Sequence, residues 1–301
     1  MNIKGILQNK SESSKLLIFM IIIFVSYSFG NLITLLFIPN IKLIYLDSSI
    51  VNINTFKIAQ FILSIFLFII PTIILSYLEG DNFLTFLGFK KSIKRQNVLL
   101  VIMIMLFVQI FVVSCIKWNI EIVEFFRDIF PIIINKMELM EVQTKELTDS
   151  FLIMNNFIDL LFNLFLIAII PAIGEEIFFR GIIQIKLQKI IRNPHLAIFV
   201  ASFIFSVIHM QFFGFLPRLF LGMLLGYLYY FSANLWMSVI AHFINNALAV
   251  ILMYPFFSNK INIEITKIDN SNITLIQTSL SILVVFIFIY IYKEINNSEI
   301  K

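Results

Sequence analysis

The chain has 301 residues, of which 60% are hydrophobic and only 13% charged, against roughly 45–50% apolar and about 25% charged in a soluble domain. So little polar surface could not keep a soluble protein of this size dissolved, which makes the bilayer the expected solvent for most of the chain. The net charge of +4 is small and sits mainly in loops, which argues against a nucleic-acid partner.

Uncharged stretches near the length of about 20 residues needed to cross a hydrocarbon core predict the elements in order. Lys4, Lys10 and Lys15 precede the run Leu16–Ile38. That run is too long for a signal-peptide core and lacks a small-residue cleavage site, so it is expected to stay as a first helix. Ile58–Leu78 is the second span. A basic loop with Lys90, Lys91, Lys94 and Arg95 leads to the third, Val98–Ile116, which holds the only cysteine, Cys115; this rules out an intrachain disulfide and a thiolate zinc site. The 117–150 segment has four basic and seven acidic residues, which suits the outer side. Its Ile122, Phe126, Ile129, Ile133, Met137 and Met140 recur at helical spacing, as expected of an amphipathic lid or of a connecting helix with one wet face. A fourth span runs from about Phe151 to Gly174, with Asp159 and Asn163 near its start as interface caps. Leu196 to Ser258 holds a single charge, Arg218. Breaks near Gly214–Pro217 and at Ser232-Ala233-Asn234 divide it into three spans, and Gly222-Met-Leu-Leu-Gly226 marks close helix packing. Leu275–Tyr292 is the last of eight. The fold class is therefore all-α, a polytopic membrane bundle with no repeats and one integral domain: N-terminal spans and amphipathic segment at 1–150, core spans at 151–258, last span and tail at 259–301. Lys186, Lys189 and Arg192 join the earlier basic residues on one side, which is read as cytoplasmic, with both termini there and the cell membrane as location.

Three polar groups interrupt the apolar second half, where an ionisable group costs on the order of 3 kcal/mol or more. In Glu175-Glu176-Ile177-Phe178-Phe179-Arg180, Glu176 and Arg180 are four apart and can pair on one helix face. Glu175, about 100° away, is left facing the interior, where a raised proton affinity suits a general base. The bland reading puts these charges among the headgroups. Phe205-Ser-Val-Ile-His209 places a histidine about 20 Å from the loop at Pro194; a lone core histidine is the ordinary explanation. His242-Phe-Ile-Asn-Asn246 puts His242 and Asn246 on one face, as two donors for a developing oxyanion or as interhelical hydrogen bonds.

In order, EEIFFR, FSVIH and HFINN resemble the EExxxR, FxxxH and HxxxN motifs of the CAAX-protease and bacteriocin-processing (CPBP, or Abi) family of intramembrane proteases. The resemblance covers Glu175 to Asn246, about a quarter of the chain. It implies a peptide-bond hydrolase with a site sunk in the bundle and opening towards the cytoplasmic side. Glu175 would activate water, His209 would bind or orient it, and His242 and Asn246 would stabilise the oxyanion. Glu176 and Arg180 would support the site or gate it, with Phe205 as a further supporting residue. The family is commonly labelled metalloprotease, and Glu175, His209 and His242 could hold a divalent ion such as zinc with an open position for water. However, HExxH is absent, and the four motif residues also suit a metal-free glutamate-and-histidine mechanism, which is the reading preferred here. Expected partners are the lipid bilayer and a peptide or lipoprotein substrate: a CAAX protein, a bacteriocin leader or a peptide pheromone. Two other classes remain. A non-catalytic immunity, sensor or scaffold protein could share the fold, although it would have no need of the intact motifs. A proton-coupled transporter would show inverted repeats and charges in both halves.

Overall fold

The computed structural model describes residues 3–37, 53–80, 82, 87–89, 91–257 and 273–297. Lys90 of the basic loop, and the predicted limits Ile38 and Ser258, lie outside the described residues. The described residues form α1 (Glu12–Phe37), α2 (Ile53–Glu79), α3 (Arg95–Phe125), α4 (Pro131–Phe151), α5 (Phe157–Ile191), α6 (Pro194–Ile208), α7 (Phe215–Ser232), α8 (Leu235–Met253) and α9 (Leu275–Asn297). Seven of these, all but α4 and α6, are long and apolar enough to cross a membrane, and α6 is a shorter apolar helix. The eight predicted spans all correspond to helices, and the chain is an all-α, multi-pass membrane protein.

Two helices contain a proline well inside them. Pro71 of α2 and Pro171 of α5 each follow a π-helical stretch, Ile65–Ile69 and Leu164–Ile169. Proline has no N–H, and its ring clashes with the carbonyl four residues back, so the preceding turn widens to make room. This allows α5 to run on for 35 residues through the predicted span end at Gly174. A third π-helical stretch, Phe179–Gln184, turns Arg180 and Gln184 towards α7. Their side chains donate to the carbonyls of Gly222 (2.9 Å) and Gly226 (3.1 Å). Those glycines also admit α6, since a Cβ would lie 3.0 Å from Ser202 Cβ at Gly222 and 2.8 Å from Ile198 at Gly226. The small-residue pair thus packs closely, as its spacing predicts, and additionally exposes two carbonyls as acceptors.

The two ends of the bundle differ in charge. At one end Lys186 meets Glu79 (2.6 Å) and Glu12 (2.9 Å), and Lys15 meets Glu12 (3.0 Å) and Glu79 (3.5 Å). This buried network ties the start of α1, the end of α2 and the C-terminal end of α5. Lys91 donates to the Ser232 carbonyl at this end, and Asn296 of α9 bonds Asn97 of α3, so the start of α1 and the end of α9 share it. At the opposite end lies α4. Its helical spacing was expected to continue from Ile122 through Ile133. Instead, α3 ends at Phe125 and Pro131 starts a new helix. The restart shifts the covered face to Ile134, Met137, Met140 and Leu147, and leaves Ile133 exposed.

Candidate active site

Each motif arrives on a different helix. Glu175 and Glu176 lie just past the proline bend of α5. Glu176 is fully buried and accepts from Arg180 Nη1 at 2.9 Å, so the pairing expected from their spacing is present. The same oxygen, Oε1, lies 2.8 Å from His242 Nδ1 on α8. An ionised carboxylate only accepts, so His242 carries its proton on Nδ1 and turns Nε2 towards Glu175, whose Oε2 is 3.8 Å away. The sequence pattern missed this link: Glu176 holds the arginine and also orients a histidine 66 residues later. Arg180 completes the support, with its guanidinium 5.0 Å from the ring centre of Phe205.

His209 sits where α6 stops. The break between α6 and α7 falls at His209–Gln211, ahead of the predicted Gly214–Pro217, because Met210 takes a left-handed conformation (φ 53°). His209 is therefore a half-buried helix cap rather than a mid-span residue. Its Nδ1 is 2.7 Å from the Phe205 carbonyl. A carbonyl cannot donate, so Nδ1 carries the proton and Nε2 is the free nitrogen. Phe205 also packs its ring on His209 and His242, at centroid separations of 4.8 and 6.2 Å. The third histidine, His195, is at the basic end against Tyr227.

Asn246 stands one turn after His242 on α8. Its amide donates to the Ile167 carbonyl at 3.2 Å, four residues before Pro171 and thus deprived of its helical partner. One of its two N–H groups is therefore committed to the bend of α5.

Glu175, His209, His242 and Asn246 line a single cavity of about 210 Å³, together with Phe205, Arg218 and Asn245. The arrangement offers a carboxylate, two imidazole Nε2 atoms and amide donors around one small space. Arg218 and Asn245 had no role in the sequence reading. Arg218 was the one charge in a 63-residue stretch, a signal that could have found it.

The residues around the cavity differ between the two ends of the bundle. Towards the basic end the bundle is filled: Met237 and Leu228 are buried, and Ser238 donates to the Leu225 carbonyl. His209, Arg218 and the 3-10 turn Phe212–Gly214 stand at the α4 end. Both histidines engage Nδ1 and leave Nε2 free, an orientation that a metal-binding histidine also takes; among the described residues no group of three or more His, Cys, Asp or Glu side chains is gathered as a ligand set.

No curated protein and no solved structure matches the chain. Residues 157–248, helices α5 to α8, match the family model "type II CAAX prenyl endopeptidase Rce1-like", in agreement with the resemblance carried by the motifs of the segment that builds the cavity.

Proposed function

We propose that the protein is an intramembrane endopeptidase that cleaves a peptide bond with water activated by Glu175. The observation that carries this is the convergence of residues from three separate motifs on one cavity that is mostly apolar-walled. In this reading a water bridges Glu175 and His209 Nε2. Glu175 takes its proton as the oxygen attacks the carbonyl, and later returns that proton to the leaving amine. The charge on the tetrahedral oxygen is met by the remaining Asn246 N–H and by Nε2–H of a His242 imidazolium, which enters and leaves the cycle with the same two protons. Glu176 holds the ring in place by accepting from Nδ1. Donors of this kind are worth most where bulk water is excluded. No metal step is part of this mechanism.

An apolar groove of about 580 Å³ between α3, α7 and α9 shares Leu221 with the cavity. It supports a substrate with a hydrophobic or lipidated segment beside the scissile bond. Cytoplasmic termini, read from the basic residues, would then put the cavity mouth and α4 on the outer face of the cell membrane. The side is read by thiol labelling of single cysteines placed at Met210 and at Lys94 in a Cys115→Ser background.

The deciding experiment is cleavage of short peptides with hydrophobic or lipidated C-terminal segments by the detergent-purified protein. Native cleavage that disappears in Glu175→Ala and His209→Ala and survives a chelator supports the mechanism. Chelator-sensitive cleavage would replace it with a metal-dependent one. Absence of cleavage, together with a cellular phenotype indifferent to Glu175→Ala and His242→Ala, would leave the immunity or scaffold role.

A further inference from the structure

One charged side chain of the cavity has no part in the mechanism above. Arg218 stands in the first turn of α7 and lines the same cavity as Glu175. A guanidinium keeps its charge in any environment, so among apolar walls it calls for an anion. Two of its nitrogens, Nη1 and Nη2, donate to the side-chain and main-chain oxygens of Gln211, and both of these are neutral acceptors. The third, Nε, is buried with no hydrogen-bond partner.

The surrounding turn is built to hold this cation. A Cβ on Gly214 would lie 2.6 Å from Arg218 Nη2 and 3.1 Å from Cζ, so the glycine leaves the space in which the guanidinium lies. Asn119 of α3 fixes the turn at both ends: its amide donates to the Phe212 carbonyl (2.8 Å) and its oxygen accepts from Leu216 N–H (3.0 Å). The carboxylates of Glu141 and Glu175 are both within electrostatic reach of Arg218. Glu141 comes from α4, which packs on the turn, and one of its carboxylate oxygens is buried without a hydrogen-bond partner. The cation and the nearby acid thus each keep a buried polar atom unpaired.

We propose that Arg218 is the receptor for a carboxylate at the end of the peptide substrate, and that Glu141 is its placeholder in the unliganded state. The cavity of about 210 Å³ is smaller than the usual ligand pocket of about 300–1,000 Å³, which suits a chain end more than a peptide running through. A C-terminal carboxylate and an acidic side chain offer the same chemistry, and the test separates them. The inference rests on the endopeptidase reading for its substrate, yet it makes its own claim about binding.

Binding is measured on the full-length Glu175→Gln protein in detergent, with dye-labelled apolar hexapeptides ending in a free acid, in a carboxamide, or in a carboxamide preceded by glutamate. The acid should bind about tenfold more tightly than the plain amide, as expected for a hydrogen bond to a charged group. Arg218→Gln should erase that preference, and Gly214→Ala should weaken it by displacing the guanidinium while keeping its charge. Glu141→Gln should tighten the acid alone. Recovery of affinity by the glutamate-containing amide assigns the anchor to side-chain carboxylates. Equal binding of acid and amide, no binding of either, or a preference that survives Arg218→Gln overturns the proposal. Cleavage by the native protein is followed on the same peptides. An acid preference in binding without cleavage keeps the anchor and removes the endopeptidase reading; equal cleavage of acid and amide does the reverse.

Discussion

Helices α2 and α5 carry the same bend one hundred residues apart. Each has Ile-Ile-Pro at its centre and a π-helical turn before it, and both run in the same direction through the bundle. In each, a carbonyl shortly before the proline, five residues ahead of Pro71 and four ahead of Pro171, accepts from a side chain of a neighbouring helix. Ser26 of α1 donates to Phe66 at 2.5 Å, and Asn246 of α8 donates to Ile167 at 3.2 Å. The two helices part in the turn that follows. α2 continues with Leu75 and Ser76, both buried in the core, whereas α5 has Glu175 and Glu176 at the same places. The bend is therefore a scaffold device, and the chemistry comes from what is set one turn beyond it.

The strongest way to break this comparison is to change the two equivalent positions in turn. Glu175→Gln keeps the shape of the side chain and removes the base. Peptide cleavage should fall by roughly 10²–10⁴-fold, with the thermal unfolding temperature in detergent hardly changed. Leu75→Ala should do the opposite, costing about 2–5 kcal/mol of stability while turnover per folded molecule stays near the native value. Similar activity losses in the two would mean that Glu175 acts through the fold.

Glu176 should behave as a hybrid. Glu176→Ala leaves Arg180 buried without its carboxylate and frees His242 Nδ1, and breaking such a buried pair costs about 3–5 kcal/mol. Folded yield and unfolding temperature should drop together with activity. Glu176→Gln can still accept from one donor and should recover part of the stability but little of the rate. A stable, fully active Glu176→Ala protein would show that His242 needs no orienting carboxylate.

A finer test compares the two carbonyl partners. Ser26→Ala and Asn246→Ala each leave a carbonyl short of a donor, and each should destabilise by about 1–3 kcal/mol. Only Asn246→Ala should also slow turnover per folded molecule, by roughly 10²–10³-fold if its second N–H meets the oxyanion. Equal stability losses with no rate effect would reduce Asn246 to a support of the bend.

Much of the fold was legible because a bilayer imposes a simple rule: long uncharged runs are helices. The break at Ser232-Ala233-Asn234 was readable for the same reason, and Asn234 indeed caps α8. The break at His209 was not, since it depends on one backbone conformation, at Met210, that no local composition announces. Continuous spacing through Pro131 misled the reading of α4, because periodicity carries no information on where a helix restarts. The motif residues could be named because each lies on a helix with few other polar groups. Their partners could not: the Glu176–His242 contact, the Asn246–Ile167 bond and the seat of Arg218 against Gly214 all join helices distant in sequence.

The smallest expected effect concerns a feature α2 and α5 share unequally, the helix α4 that lies by their N-terminal ends. Its C-terminal half docks Leu147 and Phe151 on Phe56 and Ala59 of α2, and the helix also packs on the turn Phe212–Gly214 beside the cavity. The elbow before it is closed by Arg127, which pairs with Glu124 (2.8 Å) and with Glu138. The hydrogen bond from Arg127 holds the Glu138 carboxyl below the ordinary value of 4.5. A lowered value in the folded state means that the clamp is fully present above about 4.5 and is lost as pH falls through the lowered one. Because both groups are partly open to solvent, the effect on global stability should be slight. Hydrogen exchange should instead show 126–134 opening as the pH is taken well below 4.5, with 147–151 still protected on α2. Glu138→Gln should show the same opening at neutral pH. Simultaneous opening of both segments would mean that α4 moves as one rigid piece, so that 126–134 is no freer than the part on α2.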